Sequence, residues 1–88
     1  MKIRDIIWDS KGTRAFSFIC PGCGERHAPI EGRWTFNGDY ERPTFTPSVL
    51  VNGNGFVCHS FVRDGRIQFL SDCTHYLAGQ TVELPDFD

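Results

Sequence analysis

Short runs of alternating or aromatic residues, separated by single glycines, Asn-Gly, Asp-Gly or proline, occupy most of the chain, and no window sustains an apolar helical period. This pattern predicts strands over 2–8, 13–19, 27–31, 33–36, 48–51, 55–62 and 66–70. At most one helical turn is expected, over 74–78, closed by Gly79. There is no repeat, low-complexity tract or linker, so the expected fold is a mainly β, single-domain antiparallel sheet spanning residues 1–88.

Two turns fix expected registers. Asp64-Gly65, between Arg63 and Arg66, is a strong short hairpin signal; it sets Val62 opposite Ile67 and His59 opposite Leu70. The Asn52-Gly53-Asn54-Gly55 turn is expected to put Val51 opposite Phe56 and Ser48 opposite His59. Residues 48–72 then form a three-stranded meander.

With 88 residues the chain can bury one modest core, and a β domain of this size gains from a staple. Four cysteines are available for that purpose. The N-terminal run Met1-Lys2-Ile3-Arg4-Asp5 places an acid where a secretory signal has its apolar segment, and no stretch is long and apolar enough to span a bilayer. A cytoplasmic location is expected, where thiols are metal ligands before they are disulfides. The net charge of −2 and the absence of any Lys/Arg run disfavour a nucleic-acid partner.

Cys20-Pro21-Gly22-Cys23 has the form of a metal knuckle, a tight turn that brings two thiolates to one ion. Further donors are Cys58, Cys73 and His75. Across the meander Cys58 and Cys73 share a face, so a four-thiolate site of Cys20, Cys23, Cys58 and Cys73 is one expectation. His75 in place of Cys58 or Cys73 is another. His27 reads as a surface or packing residue. Soft donors in this number suit a closed structural Zn²⁺ site and argue against zinc-dependent hydrolysis, which needs an open coordination position.

His59 must point away from the face that carries Cys58. Ser48 directly opposite it, at a Cβ separation of ~4.5–5.5 Å, and Asp72 diagonal to it on the third strand would supply the parts of an activated nucleophile. A hydrogen-bonded surface pair with a capping aspartate is the plainer reading of the same residues.

The stretch Pro47-Ser48-Val49, His59, and Phe61-Val62-Arg63-Asp64-Gly65-Arg66-Ile67 resembles the BubE-like family of bacterial ubiquitin-like conjugation operons. That resemblance implies a serine peptidase with Ser48 as nucleophile and His59 as general base, acting on a protein or peptide such as the C-terminal tail or conjugates of a ubiquitin-like protein. Asp72 comes from the geometry alone. The family pattern has a different small residue at position 58, so the resemblance does not make Cys58 a ligand. The longer pattern from Trp34 to Ser48, with Cys58-His59-Ser60-Phe61 and Asp72 to Val82, looks like small phage and prophage proteins often labelled "ammonia monooxygenase". Nothing in the chain supports that label, since it has neither a copper site nor a membrane span. A second expectation of a different class therefore stands beside the peptidase: a non-catalytic phage zinc module that binds and inhibits a host protein, with Trp34, Phe36, Tyr40 and Phe45 as core or contact surface.

Overall fold

A computed structural model describes residues 1–87. Strands β1 (Arg4–Ile7), β2 (Arg14–Ile19) and β3 (Arg26–His27) form one antiparallel sheet. β4 (Thr35–Phe36) and β5 (Phe45–Thr46) form a small ladder, and β6 (Val49–Gly53), β7 (Phe56–Arg63), β8 (Arg66–Phe69) and β9 (Thr81–Glu83) form a four-stranded antiparallel sheet in chain order. No described residue is helical, and so no helix is long and apolar enough to cross a membrane.

The mainly β expectation holds, with differences of detail. The Asp64-Gly65 turn closes β7 on β8 with both residues at positive φ (51° and 79°), as a two-residue hairpin twisting with its strands requires. Val62 pairs with Ile67 as expected, and the Leu70 amide donates to the His59 carbonyl at 2.9 Å. At the other turn the register differs by two residues. Gly53 extends β6, only Asn54-Gly55 form the loop, and Gly53 rather than Val51 faces Phe56, so Leu50 rather than Ser48 lies opposite His59. A slip of two keeps every side chain on its expected face, whereas a slip of one would have reversed them all. The pattern does not foretell β5 and β9, because two or three residues carry too little alternation to register. Residues 74–79 make consecutive turns instead of a helical turn, although Gly79 closes them at positive φ (79°).

The core lies between the sheets. Phe16 and Phe18 of β2, Phe45 of β5, Val49 of β6, Val62 of β7, Ile67 and Phe69 of β8, and Leu77 and Leu84 are all buried. Phe45 joins the β4–β5 ladder to the first sheet, its ring stacked 4.9 Å from Phe36 and 6.3 Å from Phe18. Trp34, Phe36 and Tyr40 pack against this core half-buried. Along β7 the alternation is strict where it matters: Cys58, Ser60 and Val62 are buried, while His59 and Phe61 face the other side.

Candidate active site and metal centre

Ser48 sits immediately before β6, and His59 projects from the middle of β7 on the same face. The diagonal offset brings Ser48 Oγ to 3.0 Å from His59 Nε2. On the far side of the ring, His59 Nδ1 lies 3.1 Å from Asp72 Oδ2 in the turn after β8. A carboxylate only accepts, so Nδ1 donates to Asp72, and Nε2 is left as the acceptor for the Ser48 hydroxyl. The imidazole is largely enclosed, its side chain 24% exposed against 56% for Asp72.

Two further residues hold this arrangement, and sequence reasoning assigns neither of them that task. The Trp34 indole donates to the Ser48 carbonyl at 3.2 Å. Cys73 Sγ accepts from the His59 amide at 3.2 Å and donates to the His59 carbonyl at 3.1 Å, bracketing the histidine backbone. Cys73 meets His59 because the chain, having left β8, returns beside β7, where Thr74 also exchanges hydrogen bonds with Val57.

The opposite face of β7 carries the thiols. Cys20, Cys23, His27 and Cys58 each offer a ligand atom, and these four atoms lie within 4.8 Å of one another, a cluster able to hold a metal ion. Cys20 and Cys58 Sγ are 3.7 Å apart, close to the ~3.8 Å edge of a tetrahedron with metal–sulfur bonds of ~2.3 Å. Cys23 Sγ and His27 Nε2 are 3.2 Å apart. His27 is therefore not a surface residue; it is buried, edge-on to Phe18, with a ring nitrogen among the thiols. Its spacing from the knuckle, Cys20-x2-Cys23-x3-His27, is the signal that the sequence offers for it.

Cys73, expected in the four-thiolate set, and His75, expected in place of Cys58 or Cys73, instead form a second group with Cys58. His75 Nε2 is 3.5 Å from Cys58 Sγ, and its ring lies where a Cβ on Gly22 would be, so any other residue at that point of the knuckle would displace the His75 ring. The Leu77 amide donates to His75 Nδ1 at 3.2 Å. A neutral ring accepting at Nδ1 carries its proton on Nε2, which makes His75 a donor to the Cys58 sulfur. The hydrogen bond from Cys58 holds Cys20 down to about 3, and the same bond pushes Cys58 well above the usual thiol range. Burial raises Cys23. A pair that releases one proton readily and retains the second is one in which a divalent cation can replace that second proton.

The chain is thus a small, mainly β protein with a Ser-His-Asp arrangement on one face of β7 and a Cys/His cluster able to hold a metal ion on the other. The model of one family, described as bacterial ubiquitination-like system serine protease (BubE), matches residues 2–70, and the chain belongs to that family. No curated protein and no solved structure matches it.

Proposed function

We propose that this protein is a serine peptidase in which Ser48 is the nucleophile, His59 the general base and Asp72 the group that fixes the imidazole. The observation carrying this reading is the continuous path from Ser48 Oγ through His59 Nε2 (3.0 Å) and Nδ1 to Asp72 Oδ2 (3.1 Å). Ser48 Oγ bonds to the substrate carbonyl carbon while its proton passes to Nε2. Nε2 then returns that proton to the departing amine as the C–N bond breaks. Water, deprotonated by the same nitrogen, hydrolyses the acyl-enzyme and frees Ser48. The family description supports a protein substrate in a ubiquitin-like system, and the bond we assign is the one that joins or follows the C-terminal tail of such a protein.

The metal centre is structural in this reading. Cys20, Cys23, His27 and Cys58 hold one Zn²⁺, a donor set that leaves no position for substrate, and His75 supports it by donating to Cys58. With such an ion bound, Cys20, Cys23 and His27 would be tied to Cys58, which would hold the knuckle against β7, the strand that presents His59. None of the four cysteines is in a disulfide, which suits a reducing compartment.

Ser48→Ala and His59→Ala test the assignment. Each is expected to abolish labelling of the protein by a fluorophosphonate and cleavage of ubiquitin-like conjugates, with metal content and melting temperature unchanged. The double variant should be no worse than either single one. Undiminished cleavage in Ser48→Ala would overturn the reading. A wild-type protein that never labels but binds a partner stoichiometrically would favour the non-catalytic zinc module.

A further inference from the structure

Beyond the nucleophile lies an unfilled place in the sheet. β6 is an edge strand, paired only with β7. The hydrogen bonds of β7 show which β6 groups face outward. His59 directs its carbonyl to Leu70 and its amide to Cys73, so the odd residues of β7 face β8 and the even ones, Cys58 and Ser60, face β6. Their partners Val51 and Val49 therefore bond inward, and the backbone N–H and C=O of Leu50 and Asn52 point away from the sheet. The Ser48 carbonyl, on the same outward side, takes the Trp34 indole. Among the described residues nothing bonds the outward groups of Leu50 or Asn52.

A groove of ≈ 320 Å³ borders this strand, lined by Trp8, Pro29, Ile30 and Trp34 together with Leu50 and Val51. Trp8 and Leu50 are exposed there at 53% and 51%, large apolar side chains beside a polar Ser-His site. Arg26 and Arg33 also line it, neither is in an ion pair among the described residues, and no carboxylate does.

We infer that the substrate's peptide chain docks as an added antiparallel or parallel strand on the free edge of β6, pairing with Leu50 and Asn52, with apolar side chains in this groove and an acidic one at Arg26 and Arg33. The inference rests on the peptidase reading for its occupant. An edge strand offers its unpaired groups to an extended chain about 4.8 Å away, giving affinity through the backbone and selectivity through alternate side-chain pockets. Ser48 precedes the strand by one residue, and Val49, Leu50 and Trp34 of the groove wall are its neighbours in the chain or by hydrogen bond. Trp34, by occupying the Ser48 carbonyl, ends the pairing at the residue that carries the proposed nucleophile. A tail that is extended, apolar and acidic is the substrate such an edge selects; a folded surface or a basic peptide is not.

The test uses full-length ¹⁵N-labelled Ser48→Ala protein, purified with its metal, and two acetylated decapeptides, alternating Leu-Glu and alternating Leu-Lys. The Leu-Glu peptide should shift the Leu50 and Asn52 amides and slow their hydrogen exchange at least tenfold, with Val49 and Val51 exchange unchanged. It should bind at least tenfold more tightly than the Leu-Lys peptide. Leu50→Pro removes only an outward N–H, which an edge strand tolerates, and should weaken binding at least tenfold; Asn52→Pro is the second variant should Leu50→Pro not fold. Unperturbed Leu50 and Asn52 amides, or equal affinity for the two peptides, would overturn the inference. Protection of those amides that grows with protein concentration in the absence of peptide would assign the edge to a second copy of the chain and overturn it too. Because this binding needs no turnover, a failure of Ser48 to label in the wild type would sink the peptidase reading and leave these outcomes legible.

Discussion

Asp72→Asn distinguishes an orienting carboxylate from an incidental one, and the size of its effect follows from exposure. At 3.1 Å the attraction between the Asp72 carboxylate and the imidazolium formed during attack is about 1.3 kcal/mol in water, and about 5 kcal/mol at an effective dielectric of 20. The Asp72 side chain is 56% exposed and that of His59 24%, so solvent screens the pair and the value belongs in the lower half, about 1.5–3 kcal/mol. At about 1.4 kcal/mol per factor of ten this predicts a loss of about 10- to 150-fold. Ser48→Ala, in contrast, should remove the reaction entirely. The assay is the second-order rate of Ser48 labelling by diisopropyl fluorophosphate, which needs no knowledge of the natural substrate. In ~1 M salt the Debye length falls to ~3 Å, so the wild type should lose part of its advantage over Asp72→Asn. A loss below threefold would mean that Asp72 merely decorates the turn. A loss above a thousandfold would mean that the carboxylate works in a drier environment than its exposure indicates, and the reasoning would be wrong.

The metal centre and the hairpin give two more expectations. Elemental analysis should find one zinc per chain, retained in Cys73→Ala and His75→Ala but lost in His27→Ala and Cys58→Ser, with chelation lowering the melting temperature of the wild type; the reverse pattern would exchange the donor assignments. Gly65 has φ 79°, and a Cβ there would meet Arg42 Cα and the Glu41 carbonyl at 3.2 Å, backbone atoms that cannot rotate away. Gly65→Ala should thus cost about 1–2 kcal/mol for the left-handed backbone and about 1–3 kcal/mol for overpacking. Gly55→Ala, at φ 70° with nothing within 4 Å, carries only the first cost. Thermal unfolding should put Gly65→Ala below Gly55→Ala by about 4–8 °C for each additional kcal/mol, and equal melting temperatures would refute the contact.

The local chemistry of the chain determines a good deal. Asp64-Gly65 specifies a hairpin by backbone sterics alone, so the β7–β8 register, and with it His59 beside Leu70, is legible without any tertiary contact. The strand period of two puts Cys58 and His59 on opposite faces, which by itself separates the thiol cluster from the Ser-His pair. The Cys20-Pro21-Gly22-Cys23 turn announces itself because both its donors are local. What only the tertiary structure decides are meetings between distant segments. The two-residue shift at Asn54-Gly55 reflects a choice between turns of similar local merit, and parity alone preserves the Ser48–His59 contact through it. His27 joins the thiols because β3 folds back on β2 over Phe18, and its spacing from the knuckle gains meaning only through that pairing. Cys73 and His75 flank Thr74, yet Cys73 brackets His59 and His75 turns to Cys58, since the turns after β8 have no period from which a side-chain direction can be read. The free edge of β6 is likewise invisible in sequence, because an edge is defined by the strand that does not come to lie beside it.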